Sequence, residues 1–194
     1  MEHEQLPTPE SDEPQPPHIW LGSLECYEQG ILHGKWIRAD QQPTDLVEEL
    51  VEIFSTAPIE TSDYFIWDSD GFYGVPIAQN ESLDKVVRLA NMTANYGVSY
   101  AYWAHHCKLD LDQAERTYER AYLGEFEHQS DVVTYIAERK GMIEAVERAR
   151  ESLSPPFRYF VGANLNALRV WLKREKHVVI MYFKGKIHAY YTGP

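Results

Sequence analysis

The stretch from Asp110 to Glu127 separates apolar from acidic side chains at the spacing of a helix. At about 100° per residue, one side collects apolar residues, as a buried face requires. These residues are Leu111, Ala114, Tyr118, Ala121 and Tyr122. Another side collects Asp112, Glu115 and Glu119, of which the last two repel each other at i,i+4. The spacing predicts a helix that displays carboxylates, and a solvated helix face is the alternative interpretation.

A second acidic face is predicted between Thr44 and Phe54. Thr44 or Asp45 is a suitable N-cap for a helix over this stretch. The predicted inward residues are Leu46, Leu50, Ile53 and Phe54. The predicted outward residues are Asp45, Glu48, Glu49 and Glu52, again at i, i+3, i+4 and i+7. Because two predicted helices share this acidic pattern, the acidic face between Asp110 and Glu127 is less easily explained as coincidence.

Charge is distributed unevenly along the 194 residues, which carry a formal net charge of −12. Residues 1–138 hold 26 acidic and 7 basic residues, whereas residues 139–194 hold 4 acidic and 11 basic residues. The first part should repel nucleic acid and attract a basic partner. The most basic concave surfaces in a cell are those that hold nucleic acid. Ordinary solubility is the alternative explanation of a net negative charge.

Composition excludes a disordered or membrane-spanning chain. Hydrophobic residues make up 44% and aromatic residues 13%, which indicates a packed interior. The polar N-terminus resembles no secretory signal, and no apolar run approaches the ~20 residues of a membrane span. A cytoplasmic protein that does not bind membranes is therefore expected. The two cysteines, Cys26 and Cys107, are predicted to be free buried thiols rather than a disulfide or metal site.

The first 78 residues predict a tail followed by a small sheet. Residues 1–17 are rich in proline and acids and should be disordered. Three strands are predicted, at residues 19–24, 35–38 and 64–67. The third strand should end in a turn over residues 68–71 that exposes Asp68 and Asp70. A calcium-binding EF-hand loop is excluded there, because Tyr73 and Gln79 occupy the positions that need Gly and Glu.

The remaining residues predict helices and then a hairpin. Ser82 should cap a helix to Tyr96 that Gly97 closes in the left-handed conformation. Further helices are predicted over residues 100–107, 142–151 and 165–173, and from a cap at Ser130 to a position near Gly141. Pro155 and Pro156 should prevent the helix over 142–151 from continuing. Strands at 178–183 and 187–191 flank residues 184–186, whose glycine suits a tight turn.

Motifs of catalysis are absent or weak. The sequence has no Gly-x-Ser-x-Gly, no phosphate-binding loop and no His-Glu-x-x-His. His105, His106 and Cys107 resemble metal ligands, but adjacent helical residues point about 100° apart. His33 is interpreted as a structural hydrogen-bonding group rather than an acid–base catalyst. A small hydrolase with paired carboxylates in an aromatic cleft stays open, since the separation that defines such a pair is not visible in sequence.

Three segments resemble the motifs of the ArdA-type antirestriction proteins. Residues 23–37, Ser-Leu-Glu-Cys-Tyr-Glu-Gln-Gly-Ile-Leu-His-Gly-Lys-Trp-Ile, are similar to the opening motif of that family. Residues 65–72, Phe-Ile-Trp-Asp-Ser-Asp-Gly-Phe, are similar to the second motif, and residues 121–126, Ala-Tyr-Leu-Gly-Glu-Phe, to the third. Their order and spacing agree as well. The resemblance extends over roughly residues 19–190.

The resemblance implies an elongated α+β homodimer with three small domains per chain, joined through the C-terminal domains. The domains expected after the tail are an antiparallel sheet with one helix (18–78), a helical middle domain (79–126) and C-terminal helices with a β-hairpin (127–194). Such a protein mimics bent duplex DNA, binds the methyltransferase core of type I restriction-modification enzymes and protects incoming plasmid or transposon DNA. It catalyses no reaction, requires no cofactor or metal, and does not itself bind nucleic acid.

Under this resemblance, exposed carboxylates stand in for phosphates. The expected set is Asp45, Glu48, Glu49, Glu52, Asp68, Asp70, Asp112, Glu115, Glu119, Glu125 and Glu127. Besides the hydrolase, a plain acidic adaptor with a different basic partner is a third interpretation. A mimic spreads its carboxylates over a long convex surface, whereas an enzyme converges two or three of them in a pocket.

Overall fold

The computed structural model describes residues 15–193 and shows an α+β protein, as predicted. Contacts divide the chain into two compact units, Met1–Ala114 and Glu115–Pro194. Most of the predicted disordered tail, residues 1–14, lies outside the described residues. The division into three domains stays a prediction. No helix in the described range is long and apolar enough to cross a membrane.

The first unit is built on a three-stranded antiparallel sheet. Its strands are β1 (His18–Ser23), β2 (Gly34–Arg38) and β3 (Tyr64–Asp70), in the order β2-β1-β3. Ile19 pairs with Ile37, and Leu21 pairs with Ile66. All four of these side chains are buried. Three strands were predicted here, and their positions are confirmed within a few residues.

Two helices flank these strands. Strand β1 leads directly into α1 (Leu24–Glu28), because Ser23 caps the helix by accepting a 3.1 Å hydrogen bond from the Cys26 amide. The predicted extension of the strand to Leu24 is therefore wrong. Helix α2 (Pro43–Ser55) packs against β1 and β2. Its N-cap is Gln42 rather than Thr44 or Asp45, since proline is favoured in the first helical turn, where an amide would lack a partner.

Strand β3 continues through the segment predicted as a turn. Asp68 pairs with Trp20 and Asp70 with His18, after a register shift between Trp20 and Leu21. The chain reverses only at Gly71, which has a φ of 79°. The prediction of a turn over 68–71 is wrong for its first three residues, because pairing to β1 holds them in the sheet.

Helix α3 (Leu83–His106) contains a kink at its glycine. Ser82 caps the helix as predicted, accepting a hydrogen bond from the Lys85 amide. Gly97 has φ 62° and ψ −150°, which is outside the left-handed helical region that a C′ glycine adopts. Helical structure resumes after it and ends at the cap Cys107. The predicted pair of helices is confirmed, but the predicted geometry of the glycine is wrong.

The second unit combines helices with another three-stranded antiparallel sheet. Helix α4 (Leu111–Ala121), whose first four residues belong to the first unit, leads into β4 (Tyr122–Phe126). The elements that follow are α5 (Gln129–Arg139), α6 (Met142–Glu151), α7 (Pro155–Arg158), α8 (Leu165–Arg174), β5 (Val178–Phe183) and β6 (Lys186–Tyr191). The strand order is β4-β6-β5. A buried cluster beneath this sheet contains Val132, Ile136, Leu172, Ile187 and Ala189.

Strand β4 was not predicted. Tyr122 was assigned to the apolar face of the preceding helix, but it begins a strand and pairs with Tyr190 of β6. Gly124, with a φ of 125°, follows the point where the register between the two strands shifts. The partner strand lies more than 60 residues further along the chain, so local periodicity carried no sign of this pairing.

Three further boundaries differ from the prediction. Helix α5 is capped by His128 rather than Ser130, and the Asp131 carboxylate accepts a 3.1 Å hydrogen bond from the His128 amide. Helix α6 ends at Glu151, before the two prolines, and Pro155 and Pro156 begin the four-residue helix α7. The hairpin turn consists of Lys184 and Gly185, which both have positive φ, as a type I′ turn requires.

Deleting residues 1–14 should leave the free energy of unfolding unchanged within about 0.5 kcal/mol. Deleting residues 1–17 should lower it by about 1–3 kcal/mol. The reason is that the Pro17 side chain is fully buried and its carbonyl accepts a 2.8 Å hydrogen bond from the Ala39 amide. Urea unfolding of both truncations measures the difference. Equal stability of the two would contradict a structural role for Pro17.

Candidate functional site

The predicted phosphate-mimicking carboxylates are accessible to solvent. Of the eleven, Glu49 and Glu115 are half-buried and the other nine are exposed. They lie on α2 (Asp45, Glu48, Glu49, Glu52), β3 (Asp68, Asp70), α4 (Asp112, Glu115, Glu119), β4 (Glu125) and the residue after it (Glu127). The eleven carboxylates thus lie on four elements and on the residue that follows β4, and none of them is buried.

The acidic face of α2 contains a cation that sequence reasoning missed. The Lys35 ammonium lies 2.5 Å from a Glu49 carboxylate oxygen and 2.6 Å from one of Glu52. The hydrogen bonds that Lys35 donates to Glu49 and then to Glu52 raise the pKa of Lys35. The register explains the contact, because Lys35 lies opposite Leu21, whose side of the sheet α2 covers. Lys35 therefore partly neutralises two of the four carboxylates.

The other two acids of this face, Asp45 and Glu48, are exposed and form no ion pair within the described part of the chain. They keep their full negative charge toward solvent. Two acids of this face are therefore paired with a lysine of the sheet, and the other two face solvent. The helical spacing in the sequence does not distinguish the two pairs.

Most cations of the first unit are held by carboxylates in the same way. Residues 1–114 contain 20 acidic and 5 basic residues. Besides Lys35, three of the five bases form ion pairs: Arg38 with Asp40 at 2.8 Å, Lys85 with Glu81 at 2.9 Å and Arg88 with Asp112 at 2.7 Å. Neutralisation is therefore local, and a large acidic excess stays on the surface of this unit.

The two carboxylates of β3 are engaged only by neighbouring amides. One Asp68 oxygen accepts a 2.8 Å hydrogen bond from the Ser69 amide, and one Asp70 oxygen accepts a 2.8 Å hydrogen bond from the Gly71 amide. Neither aspartate forms an ion pair within residues 15–193. Each exposed carboxylate keeps a second oxygen for a cationic partner.

The second unit is less acidic. Residues 115–194 contain 10 acidic and 13 basic residues. Glu127 is paired with Lys186 of β6 and raises the pKa of that lysine. Glu125 lies across from His188 of the same strand, whose pKa is lowered by burial. The acidic field thus belongs mainly to the first unit.

Glu25 has a structural role that its sequence motif did not reveal. Its carboxylate accepts hydrogen bonds from the Thr61 hydroxyl at 2.6 Å, the Ser62 amide at 2.8 Å and the Ser62 hydroxyl at 2.9 Å. The bond from Thr61 and then those from Ser62 lower the pKa of Glu25 to about 2. This carboxylate connects α1 to the loop before β3. Thr61 and Ser62 lie 36 and 37 residues from Glu25, and no sequence pattern indicated that they contact it.

The histidines that were considered as acid–base groups or metal ligands lie in other surroundings. The His33 ring nitrogen Nε2 lies 2.8 Å from the Ile53 carbonyl oxygen, which confirms the structural interpretation. His105 and His106 are exposed, whereas Cys107 is buried. Among residues 15–193, no group of three or more His, Cys, Asp or Glu is placed to hold a metal. Cys26 and Cys107 are both buried thiols that are not joined in a disulfide, as predicted.

Replacing Glu25 with Gln should flatten the acid dependence of stability between about pH 4.5 and about pH 2. The unfolded carboxyl group takes up its proton near 4.5 and the folded one near 2, so stability from this group is full above 4.5 and lost as pH falls through this range. Urea unfolding across pH measures the effect. Glu28→Gln on the same helix is the control and should retain the wild-type slope. A Glu25→Gln curve parallel to the wild type would contradict the assignment.

Comparison with known proteins supports one family. A family model described as Antirestriction protein (ArdA) matches residues 19–160, which include all three motifs and both acidic helices. Comparison with curated proteins and with solved structures gives no significant match. The match covers well over half of the chain and agrees in position with the motifs at β1 to β2, at β3 and at α4 to β4. The chain belongs to the ArdA family of antirestriction proteins.

Proposed function

We propose that this antirestriction protein acts by mimicking bent duplex DNA. In this proposal, it occupies the DNA-binding groove of type I restriction-modification enzymes at their methyltransferase core, in the cytoplasm. Incoming plasmid or transposon DNA is thereby protected. The observation that carries the proposal is the acidic excess of residues 15–114, which contain 15 acidic and 5 basic residues, four of the bases being held in ion pairs.

Spacing explains why several segments contribute. Duplex DNA carries one negative charge per ~1.7 Å of axis when both strands are counted. Carboxylates four residues apart on a helix are separated by ~6 Å along its axis. The face of α2 alone is too sparse, and Lys35 weakens it further. Carboxylates on β3 and α4 supply additional charges in the proposed mimic.

The shifted carboxyl groups of the first unit do not favour the hydrolase alternative. A general acid requires a raised pKa near the working pH. The pKa of Glu25 is lowered by its hydrogen bonds, and the pKa of Asp40 is lowered by the hydrogen bond from Arg38. Both groups thus stay ionised and serve structural contacts. The proposed role is inhibition by binding rather than catalysis.

We also propose that the protein is a homodimer joined through its second unit. Helices α6 and α7 contain no buried residue, although α6 is amphipathic. Tyr159 and Phe160 follow α7 with 87% and 86% of their surface exposed. Contiguous exposed aromatic residues are typical of interfaces. A second copy of the same surface would bury them symmetrically.

The protein should displace duplex DNA from a type I methyltransferase core, because both ligands compete for one basic groove. Fluorescence anisotropy of a labelled specific duplex should fall as the protein is added, and the apparent affinity should decrease as salt rises. A ternary complex that retains DNA at saturating protein would contradict mimicry. Full competition without salt dependence would contradict the role of the carboxylates.

Replacing Lys35 with Gln should tighten binding to the methyltransferase core by about two- to five-fold. The change removes one positive charge and also releases Glu49 and Glu52 to face the partner. Lys108→Gln is the matched control, since Lys108 is exposed and forms no ion pair within residues 15–193. It removes the same charge without freeing a carboxylate. Equal affinities of the two variants would contradict the importance of the α2 face.

Replacing Phe160 with Asp should shift the protein from dimer to monomer, weakening self-association about 10-fold or more, because a charge would be buried in an apolar contact. Analytical ultracentrifugation over a range of concentrations measures this. Tyr182→Asp is the control, since Tyr182 is an exposed aromatic residue on β5 of the same unit. Unchanged association of Phe160→Asp would place the dimer contact elsewhere.

A further inference from the structure

The sheet of the first unit has one covered and one open face. Helix α2 covers the face that carries Ile19, Leu21 and Ile37. Directly paired residues in an antiparallel sheet point to the same side. Trp20 and Trp36, which are such a pair, therefore lie together on the face opposite α2. Phe65 pairs with Gly22 and belongs to this second face as well.

An aromatic cluster occupies the open face. The Tyr27 ring lies 4.6 Å from that of Phe65 and 4.9 Å from that of Trp67, measured between centroids. The Trp20 ring lies 6.2 Å from Phe65 and 6.4 Å from Trp67. Tilted and edge-on contacts of this kind hold the rings in defined orientations. We refer to Trp20, Tyr27, Trp36, Phe65 and Trp67 as the aromatic face.

Two glycines make room for its central ring. A Cβ added at Gly22 or Gly34 would lie 2.4–2.5 Å from atoms of the Trp20 ring, which is closer than real Cβ contacts. The indole therefore lies flat over two backbone segments that no larger residue could provide. Trp20 contacts the rings of Phe65 and Trp67, so the exposed Trp67 indole packs against a fixed neighbour.

The outer rings of this face are open to solvent. The exposed fractions are 49% for Trp36, 48% for Trp67 and 42% for Tyr27. Monomeric proteins rarely expose large contiguous apolar patches unless the patch binds something. Each of these three residues is therefore accessible to a ligand.

The rim of the aromatic face is negatively charged. Asp68, paired with Trp20, and Asp70, paired with His18, stand on the same side of the sheet and are exposed. Glu28 of α1 is exposed next to Tyr27 in sequence. Arg38 pairs with His18 across the sheet, but its guanidinium is held by Asp40 through two hydrogen bonds of 3.0 and 2.8 Å. Indole faces ringed by carboxylates attract cations.

We propose that the aromatic face binds arginine side chains of the basic partner protein. The inference rests on the proposed function and adds a second mode of contact to it. A planar guanidinium stacks on Trp36 or Trp67 and donates a charge-assisted hydrogen bond to an exposed carboxylate of the rim, such as the open oxygen of Asp68. Lysine offers the same charge without a plane to stack. The carboxylates alone would not distinguish the two cations, whereas the indoles select arginine.

Charge decides against two other occupants. Residues 1–14 contain five acidic residues and no lysine or arginine, so the acidic rim repels that segment of the chain. Single-stranded nucleic acid stacks on exposed aromatic residues, but its phosphates would meet the same carboxylates. A basic protein surface is the class of partner that satisfies both the rings and the rim.

The test uses the full chain and two labelled peptides that differ only in the cation, one with four Arg-Gly repeats and one with four Lys-Gly repeats. Binding is measured by fluorescence anisotropy at low and at high salt. The arginine peptide should bind about two- to five-fold more tightly, the range expected for an exposed cation–π contact. The ratio should persist at high salt, where ion pairs are screened.

Trp36→Leu and Trp67→Leu, singly and together, should abolish this preference while leaving the lysine peptide nearly unaffected. Trp36→Phe should retain part of it. Trp36 lies on the edge strand β2 and shows no ring contact within the described residues, so its replacement spares the packed cluster. The control is Trp171→Leu on α8, where a tryptophan of similar exposure, 40%, stands in the other unit. It should keep the preference.

Several outcomes would overturn the inference. Equal binding of the two peptides, or loss of the preference in Trp171→Leu, would show that the aromatic face does not select arginine. Tryptophan quenching by oligothymidine that Trp36→Leu removes would assign the face to nucleic acid. A preference that appears only after deletion of residues 1–14 would assign it to the tail, and a monomeric Trp36→Leu would assign it to a second copy. The peptide experiments contain no restriction enzyme. Their outcome therefore does not depend on whether the protein displaces DNA from a methyltransferase core, so failure of this inference and failure of the proposed function can be told apart.

Discussion

Pairing of β1 with neighbours on both sides is the constraint on which the first unit depends. Because β1 is the central strand, its alternation assigns Ile19 and Leu21 to the face covered by α2 and Trp20 to the open face. The same register places Lys35 beneath the acids of α2. It also places Asp68 beside the aromatic rings. The register of this strand thus determines which carboxylates are paired with a lysine and which face solvent.

Electrostatics supplies the second constraint. A unit with 20 acidic and 5 basic residues repels itself, and this repulsion opposes compaction. The structure places four of the five bases in ion pairs, where each reduces local repulsion. Exposed pairs of this kind contribute little individually, about 0–1 kcal/mol. Stability therefore depends on the apolar core, and in the proposed function the acidic surface serves binding rather than folding.

The two units differ in a way that fits a division of tasks. The first carries the acidic excess and the aromatic face. The second has 13 bases against 10 acids, and its helices α6 and α7 bury no residue. In the proposed function the first unit contacts the restriction enzyme and the second joins two chains. A dimer would double the number of acidic surfaces without lengthening any one helix.

Local pattern alone determined much of this protein. Apolar periodicity located α2, α4 and the hairpin of β5 and β6, Ser82 marked the start of α3, and three short motifs indicated the family. The same periodicity also identified helix acids that are not buried, since a helix that buries one side must present the other. Tertiary structure decided the rest. Strand β4 exists because β6 supplies its hydrogen bonds, and Asp68 stays in a strand because β1 pairs with it. Glu25 and Lys35 have partners 14 or more residues away. Such contacts depend on register between distant segments, which local propensity does not encode.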